Sequence, residues 1–436
     1  VDKTVIIGQN AGQANMTAAA DGTIAIGYEA GKAITSGAEN TAVGYQAGKA
    51  MTDNAKNVII GYQSLLVADS GETANVSIGY QAMSAVNHAD SDANVVIGRG
   101  AGTGGAGQFD SNIAIGSNAL NSTASNTMTG AVAIGYNALT RLTSGAGNTA
   151  IGYSSGDYIT TGTNNTTLGY RALAGSAGTS DNNVAIGYQA MDNSDGVGGG
   201  KNIFIGTNAG GGTWAGGACS NNVGIGYEAL AGALNIANAE VAIGYQALTA
   251  LTTGDGNTAV GYKSGNSLTT GNNNTALGFE AMANMGENNT GNTAIGHRAL
   301  DASGTGCNYN IALGMGALTA LVGGSKNISI GRNSGGNLTT AVSCITIGYD
   351  ATASVVNGQN QIVIGDGATG LGNNYAVIGD ADVTRLYVAQ DGAGVLYANG
   401  TIQTSDKRLK ENIEDSDLGL EFINKIRPVS YKYIND

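Results

Sequence analysis

Two histidines, three cysteines, one tryptophan and a scatter of turn carboxylates are the groups with most chemical reach in this 436-residue chain. His88 and His297 are far apart and lack a partnering carboxylate motif, so no metal centre is expected. Cys219, Cys307 and Cys344 make an odd count with no metal-like spacing and read as small buried thiols. Asp53, Asp90, Asp92 and Asp181 lie in turns where calcium is conceivable. The glycine-aspartate nonapeptide of calcium-binding rolls is absent, however, and these carboxylates read as solvated loop residues. Trp214 stands in GGGTWAGGACS, and an exposed indole there could stack on a receptor sugar; the competing reading is a plug between adjacent chains. No nucleophile elbow, phosphate-cradling loop or regular pair of acids is present, so neither enzyme turnover nor a cofactor is expected.

The elements that must carry these residues are unusual. Seventy-two glycines accompany a single proline, with 42% apolar residues. Without a G-X-Y period this is not collagen, and the apolar content argues against disorder. Four Phe and one Trp would underfill a core of large side chains packed between two layers, so the core must be thin. A formal charge of −13 disfavours nucleic acid and anionic membrane surfaces as partners. No apolar run approaches the length of a membrane span, and the N-terminus lacks the pattern of a signal peptide. The chain opens at Val1 inside a repeat, as expected of a piece of something longer.

An aliphatic residue followed by Gly recurs from Gly8 to Gly379 at intervals of seventeen to twenty residues, shortening to fourteen at the last step. Such a fixed period marks a solenoid. Around each Gly the same eight positions return, as in NTAVGYQA from Asn40, NTAIGYSS from Asn148 and NTAIGHRA from Asn292. Strand alternation puts the residue before Gly and the one two places earlier on one face, an apolar strip. The small residue between them and the Gly leave the other face open to close backbone approach. Asn marks the corner before each strand and is expected to ladder with its counterpart on the next rung. Four places after the Gly, Leu65, Leu139, Leu173, Leu248 and Met282 supply a second apolar contact, whereas Gly31, Gly48, Gly156 and Gly265 relieve a tight bend. Six rungs form a super-repeat, with copies starting near 23, 131 and 240.

The predicted fold is all-β: a parallel β-roll or β-solenoid shaft over 1–379, a β neck over 380–404, and an α/β segment over 405–436. Two aliphatic residues per turn give each chain a narrow strip. Burial at about 25 cal/mol per Å² would struggle against the ordering of so many glycines. Three chains turning their strips to a common axis would share one core, so a homotrimer is expected.

The repeat resembles the NSVAIG-type repeat in the head domains of trimeric autotransporter adhesins, which are parallel β-rolls packed as trimers; its turns are longer than in those heads. From Ser405 the sequence SDKRLKENIEDSD, then Leu420, Ile423 and Ile426 three apart, then RPVSYKY from Arg427, resembles the opening of the endosialidase-type intramolecular chaperone of phage tail fibres and spikes. That resemblance implies a segment that holds three chains together during folding and releases itself by a cut before Ser405. Ser405 would attack the carbonyl of Thr404, and Lys410 would take its proton. The bland reading leaves Ser405 and Asp406 as a helix cap.

The functional expectation is a phage tail-fibre shaft in the virion tail, made in the host cytoplasm. Its partners would be tail or baseplate proteins and a host cell-surface receptor, a glycan or outer-membrane component. The alternatives are a bacterial trimeric adhesin head, which calls for a coiled-coil stalk downstream, and a glycan-degrading tailspike, which calls for convergent carboxylates.

Overall fold

A computed structural model describes residues 3–386, apart from 123–125, 176–177, 195–198, 215–216, 218 and 303. The chain divides into two units, Val1–Asp382 and Val383–Asp436. The first is a parallel β-solenoid. Its principal sheet has 22 strands, each of three residues, from Val5–Ile7 to Ala376–Ile378. Every strand pairs in parallel with the next in sequence, and the register never slips: Val132, Ala133 and Ile134 face Thr149, Ala150 and Ile151, which in turn face Thr166, Thr167 and Leu168. At about 4.8 Å per rung the stack is roughly 100 Å long. Shorter pairings on other sides of the turn, such as Phe109–Asp110 with Met128–Thr129, add parallel hydrogen bonds between successive rungs.

The register is locked by the glycine that ends each strand. Gly61 has φ +138°, and a Cβ there would lie 2.3 Å from the carbonyl oxygen of Gly79 on the next rung. The close backbone approach expected at this position is therefore present, stacked from rung to rung.

The two strand faces have distinct roles. The central residue, such as Ala25, Ala42, Ala133 or Ala150, is fully buried, while its neighbours on the strand, aliphatic or Thr, are partly exposed. The face that looked bare in the sequence is thus the interior of the solenoid, and the aliphatic strip lies outside. The turn after each strand explains this. Its side chains fold under the strand, so only a small residue fits above them. Leu65, Leu120, Leu139 and Met83 fill that space and are buried. They adopt left-handed backbone, Leu65 at φ +46°, as does Gly48 at φ +57° in the equivalent place. The bend is therefore present in every copy from Gly12 to Gly335, and is lost in the last rungs, where Thr352 and Thr369 take the place. Glycine relieves it in some rungs, and in others burial of the Leu offsets a strain of about 1–2 kcal/mol.

Volume is traded between neighbouring rungs. Where Phe204 replaces the central Ala, glycines stand at 210 and 224; a Cβ at Gly224 would lie 2.5 Å from the Phe204 ring.

The corner asparagines form the expected ladder inside the stack. Asn165 Nδ2 donates to Asn148 Oδ1 (3.0 Å) and to the Ser180 carbonyl (2.7 Å), and its own Oδ1 accepts from the backbone N and Nδ2 of Asn183 (3.0 and 3.1 Å). A buried amide with all these bonds made costs little, and it satisfies a corner N–H that has no strand partner. The run of asparagines is broken at Thr23, Ala131 and Glu240, where the super-repeats begin, and again at Cys344 and Gln361.

Candidate functional site

The outer surface of the solenoid carries two parallel tracks. The first is the aliphatic strip. Ile60, Ile97, Ile151, Leu168, Ile203, Ile243, Leu277 and Ile311 are each between 36% and 45% exposed, and their positions repeat in register along the sheet. A contiguous apolar track of this length far exceeds the patch a solitary soluble protein usually leaves bare.

The second track begins one residue after the ladder glycine. Tyr28, Tyr45, Tyr62 and Tyr80 stack face to face with ring centroids 5.0–5.1 Å apart. Tyr136, Tyr153, Tyr170 and Tyr188 repeat the arrangement at 5.0–5.2 Å, and Tyr227, Tyr245, Tyr262, Phe279 and His297 form a third stack. The 4.8 Å rung spacing sets this geometry: identical side chains at identical register must stack. The tyrosines are about half-exposed, with their edges in solvent. The repeat NTAVGYQA carries Tyr at this place, and the ladders follow from the stacking of its copies. The signal was present, because one rung per period brings residues seventeen or eighteen apart to stacking distance.

Polar ladders run beside the rings. Gln81 donates to Gln63, Gln63 to Gln46, and Gln46 to Glu29, at 3.1, 2.9 and 2.9 Å. Lys32 and Lys49 close on Glu29 at 2.7 and 2.8 Å. Lys32, Lys49 and Gln46 together hold the Glu29 carboxyl down at about 2. Farther along, Gln189, Asp192, Asn193, Asn208, Gly211, Glu228, Ala231 and Thr249 line a polar cavity of about 320 Å³.

Trp214 is not on this surface. It is 4% exposed, packs edge-on against Phe204 with centroids 5.7 Å apart, and donates its indole N–H to the Gly210 carbonyl at 3.1 Å. Both readings made from sequence are corrected: the ring is neither presented to a sugar nor available as a plug between chains, because it fills the interior of its own rung beside an oversized strand residue. Cys219, Cys307 and Cys344 are buried, as expected, and burial raises each thiol. Of the turn carboxylates, Asp92 and Asp181 accept from the backbone N–H and hydroxyl of Thr73 and Thr163 on the preceding rung, and Asp53 accepts from Gly71 on the following one. Among the described residues no group of three or more metal-binding side chains gathers, and no helix is long and apolar enough to cross a membrane. Ser405, Lys410 and Thr404 lie outside the described residues.

The fold and its two tracks define a parallel β-solenoid repeat protein with an exposed aliphatic strip. Its C-terminal residues 405–436 match the family described as chaperone of endosialidase, in agreement with the resemblance read from SDKRLKENIEDSD. No curated protein matches the chain.

Proposed function

We propose that this chain is the shaft of a phage tail fibre or tailspike, assembled as a homotrimer, that takes part in host attachment. The observation that carries the reading is the succession of two features in one chain: a long β-solenoid with an uncovered apolar strip, then a segment matching the endosialidase chaperone family. A solenoid of this kind needs its copies brought into register before the strips can close on one another, and a C-terminal chaperone supplies that alignment. The succession also separates this reading from an adhesin head, which would lead into a coiled-coil stalk. The domain division follows: shaft over 1–379, neck over 380–404, chaperone from 405. Tail or baseplate proteins and a cell-surface receptor are the partners, and the virion tail is the location.

The only covalent chemistry in this reading is a single self-cleavage before Ser405. The Ser405 hydroxyl attacks the Thr404 carbonyl as Lys410 accepts its proton, the Thr404–Ser405 C–N bond breaks as Lys410 returns that proton to the Ser405 nitrogen, and water hydrolyses the resulting ester to release the shaft. At its full natural length the protein is expected to sediment as three chains and to release a fragment beginning at Ser405, whereas Ser405→Ala leaves it uncut. Equal processing of both proteins excludes the Ser405 mechanism, and a monomeric shaft excludes the trimer.

A further inference from the structure

The third aromatic stack nearly joins the second. Tyr188 ends one and Tyr227 begins the next, and the single rung between them carries Thr207 in place of a ring. The backbone is in phase through this gap: Asn208 N donates to Tyr188 O at 2.9 Å, and Glu228 N donates to Thr207 O at 3.0 Å. Strand register is also kept, with Ile186 facing Ile205 and Ile205 facing Ile225. Tyr188 and Tyr227 therefore stand two rungs apart, roughly 10 Å. A ring inserted between them would lie about 5 Å from each, as the tyrosines lie from one another, which is van der Waals contact for a puckered ring as well as a flat one. Thr207 is exposed and short, so it floors the slot without filling it.

The other breaks in the aromatic track differ. Arg99 and Ser117 separate Tyr80 from Tyr136 by two vacant rungs, and Met315 and Arg332 separate His297 from Tyr349, with Arg332 lying over the Tyr349 ring. In the super-repeat, Tyr227 occupies the place held by Ser117 and Arg332 in the neighbouring copies. That substitution gives the slot its second wall.

An independent feature lies one residue further along the same three rungs. The residues that follow Tyr188, Thr207 and Tyr227 are Gln189, Asn208 and Glu228, and all three line the 320 Å³ polar cavity. Asp192 is held there by Arg171 and Gln189, both at 3.0 Å, and Glu228 is held by Gln246 at 2.7 Å. The Asn208 side-chain amide makes no hydrogen bond with other described residues. Asp192 is buried and fully taken up by these bonds, so the groups left for a ligand are two ring faces, a free amide and the Glu228 carboxylate, which fit apolar faces with a hydroxylated rim.

We infer that the slot between Tyr188 and Tyr227, with the adjoining cavity, is a carbohydrate subsite that takes one neutral pyranose residue. The pyranose C–H faces lie against the two tyrosines, and its hydroxyls reach Asn208 and Glu228. The acidic rim disfavours sugars bearing carboxylate, phosphate or sulfate. As a receptor contact, the subsite rests on the host-attachment reading.

Saturation-transfer NMR on the whole protein with methyl pyranosides of glucose, galactose, mannose, N-acetylglucosamine and rhamnose tests the subsite. One ring in an open slot is expected to bind at least one of these in the millimolar range. Thr207→Tyr supplies the missing ring, should abolish that signal, and should raise the melting temperature by joining the stacks. Tyr227→Ser, a residue the repeat already accepts as Ser117, should weaken binding about tenfold or more with an unchanged circular dichroism spectrum. Absence of binding to every pyranoside at ~50 mM, or equal binding by the Thr207→Tyr variant, overturns the subsite. Cell adsorption separates the two readings. Adsorption that persists in a protein without sugar binding removes the subsite and keeps host attachment, whereas sugar binding lost in Thr207→Tyr with adsorption unchanged keeps the subsite and removes its part in attachment.

Discussion

Glu240 stands at a corner where the rungs on either side carry Asn222 and Asn257, and its carboxylate is fully buried. It accepts from the Asn257 backbone at 3.0 Å and continues the ladder, but burial pushes the carboxyl up to about 8. Glu72, also buried, is pushed up to about 7 by the same cause, with one oxygen unpartnered. A carboxyl whose folded pKa is raised holds its proton more tightly in the folded state. The stability it contributes is full below the ordinary value of 4.5 and is lost as pH rises through the folded value. The denaturation midpoint of the shaft is therefore expected to fall between about pH 5 and 8, and Glu240→Gln should flatten part of that slope. Gln361 at the matching corner of a later rung indicates that the amide fits. Identical slopes for the two proteins in a pH series of urea melts would refute this account. Nothing in the residue type announces the shift: Glu240 reads in sequence as one more turn acid, and only the stacking of its corner between two buried asparagines removes it from water.

At the scale of the rung, the sequence disclosed more. The period, the parallel pairing, the aliphatic and small alternation and the corner asparagines were all legible, because each rung reuses one pattern and the rung spacing converts period into contact. The outward direction of the aliphatic strip was legible from its narrowness. What fills the interior was not: the left-handed turn carrying Leu65 or Leu139 folds its own side chains beneath the strand and leaves room only for Ala. Trp214 was misjudged for a related reason: its partner Phe204 sits ten residues earlier, and the clue lay in the side chains missing at Gly210 and Gly224. Near-equivalence of the super-repeats carries a prediction. Residues 131–239 contain six principal strands, and Glu240 takes the same corner as Ala131. Deleting that block should leave a folded shaft shorter by about 29 Å, measurable in electron micrographs. Collapse of the remaining rungs would mean that their stability is not additive along the stack.

For the whole first unit, the aliphatic strip governs behaviour. Ile151 and Ile243 sit mid-strip on separate super-repeats, 36% and 37% exposed. Replacing both by Asp places charges on the face proposed to close between copies while leaving each rung's interior untouched, so assembled mass should drop from three chains to one with the circular dichroism of the shaft retained. A trimer that survives the double change would place the contact elsewhere. The stacking direction also has a mechanical result. Because rung-to-rung hydrogen bonds point along the long axis, tension applied at the two ends of the solenoid loads one rung at a time and peels the strand off like tape, whereas compression and bending engage the column of 22 strands together. A single copy would behave as a strut, stiff when pushed and weak when pulled.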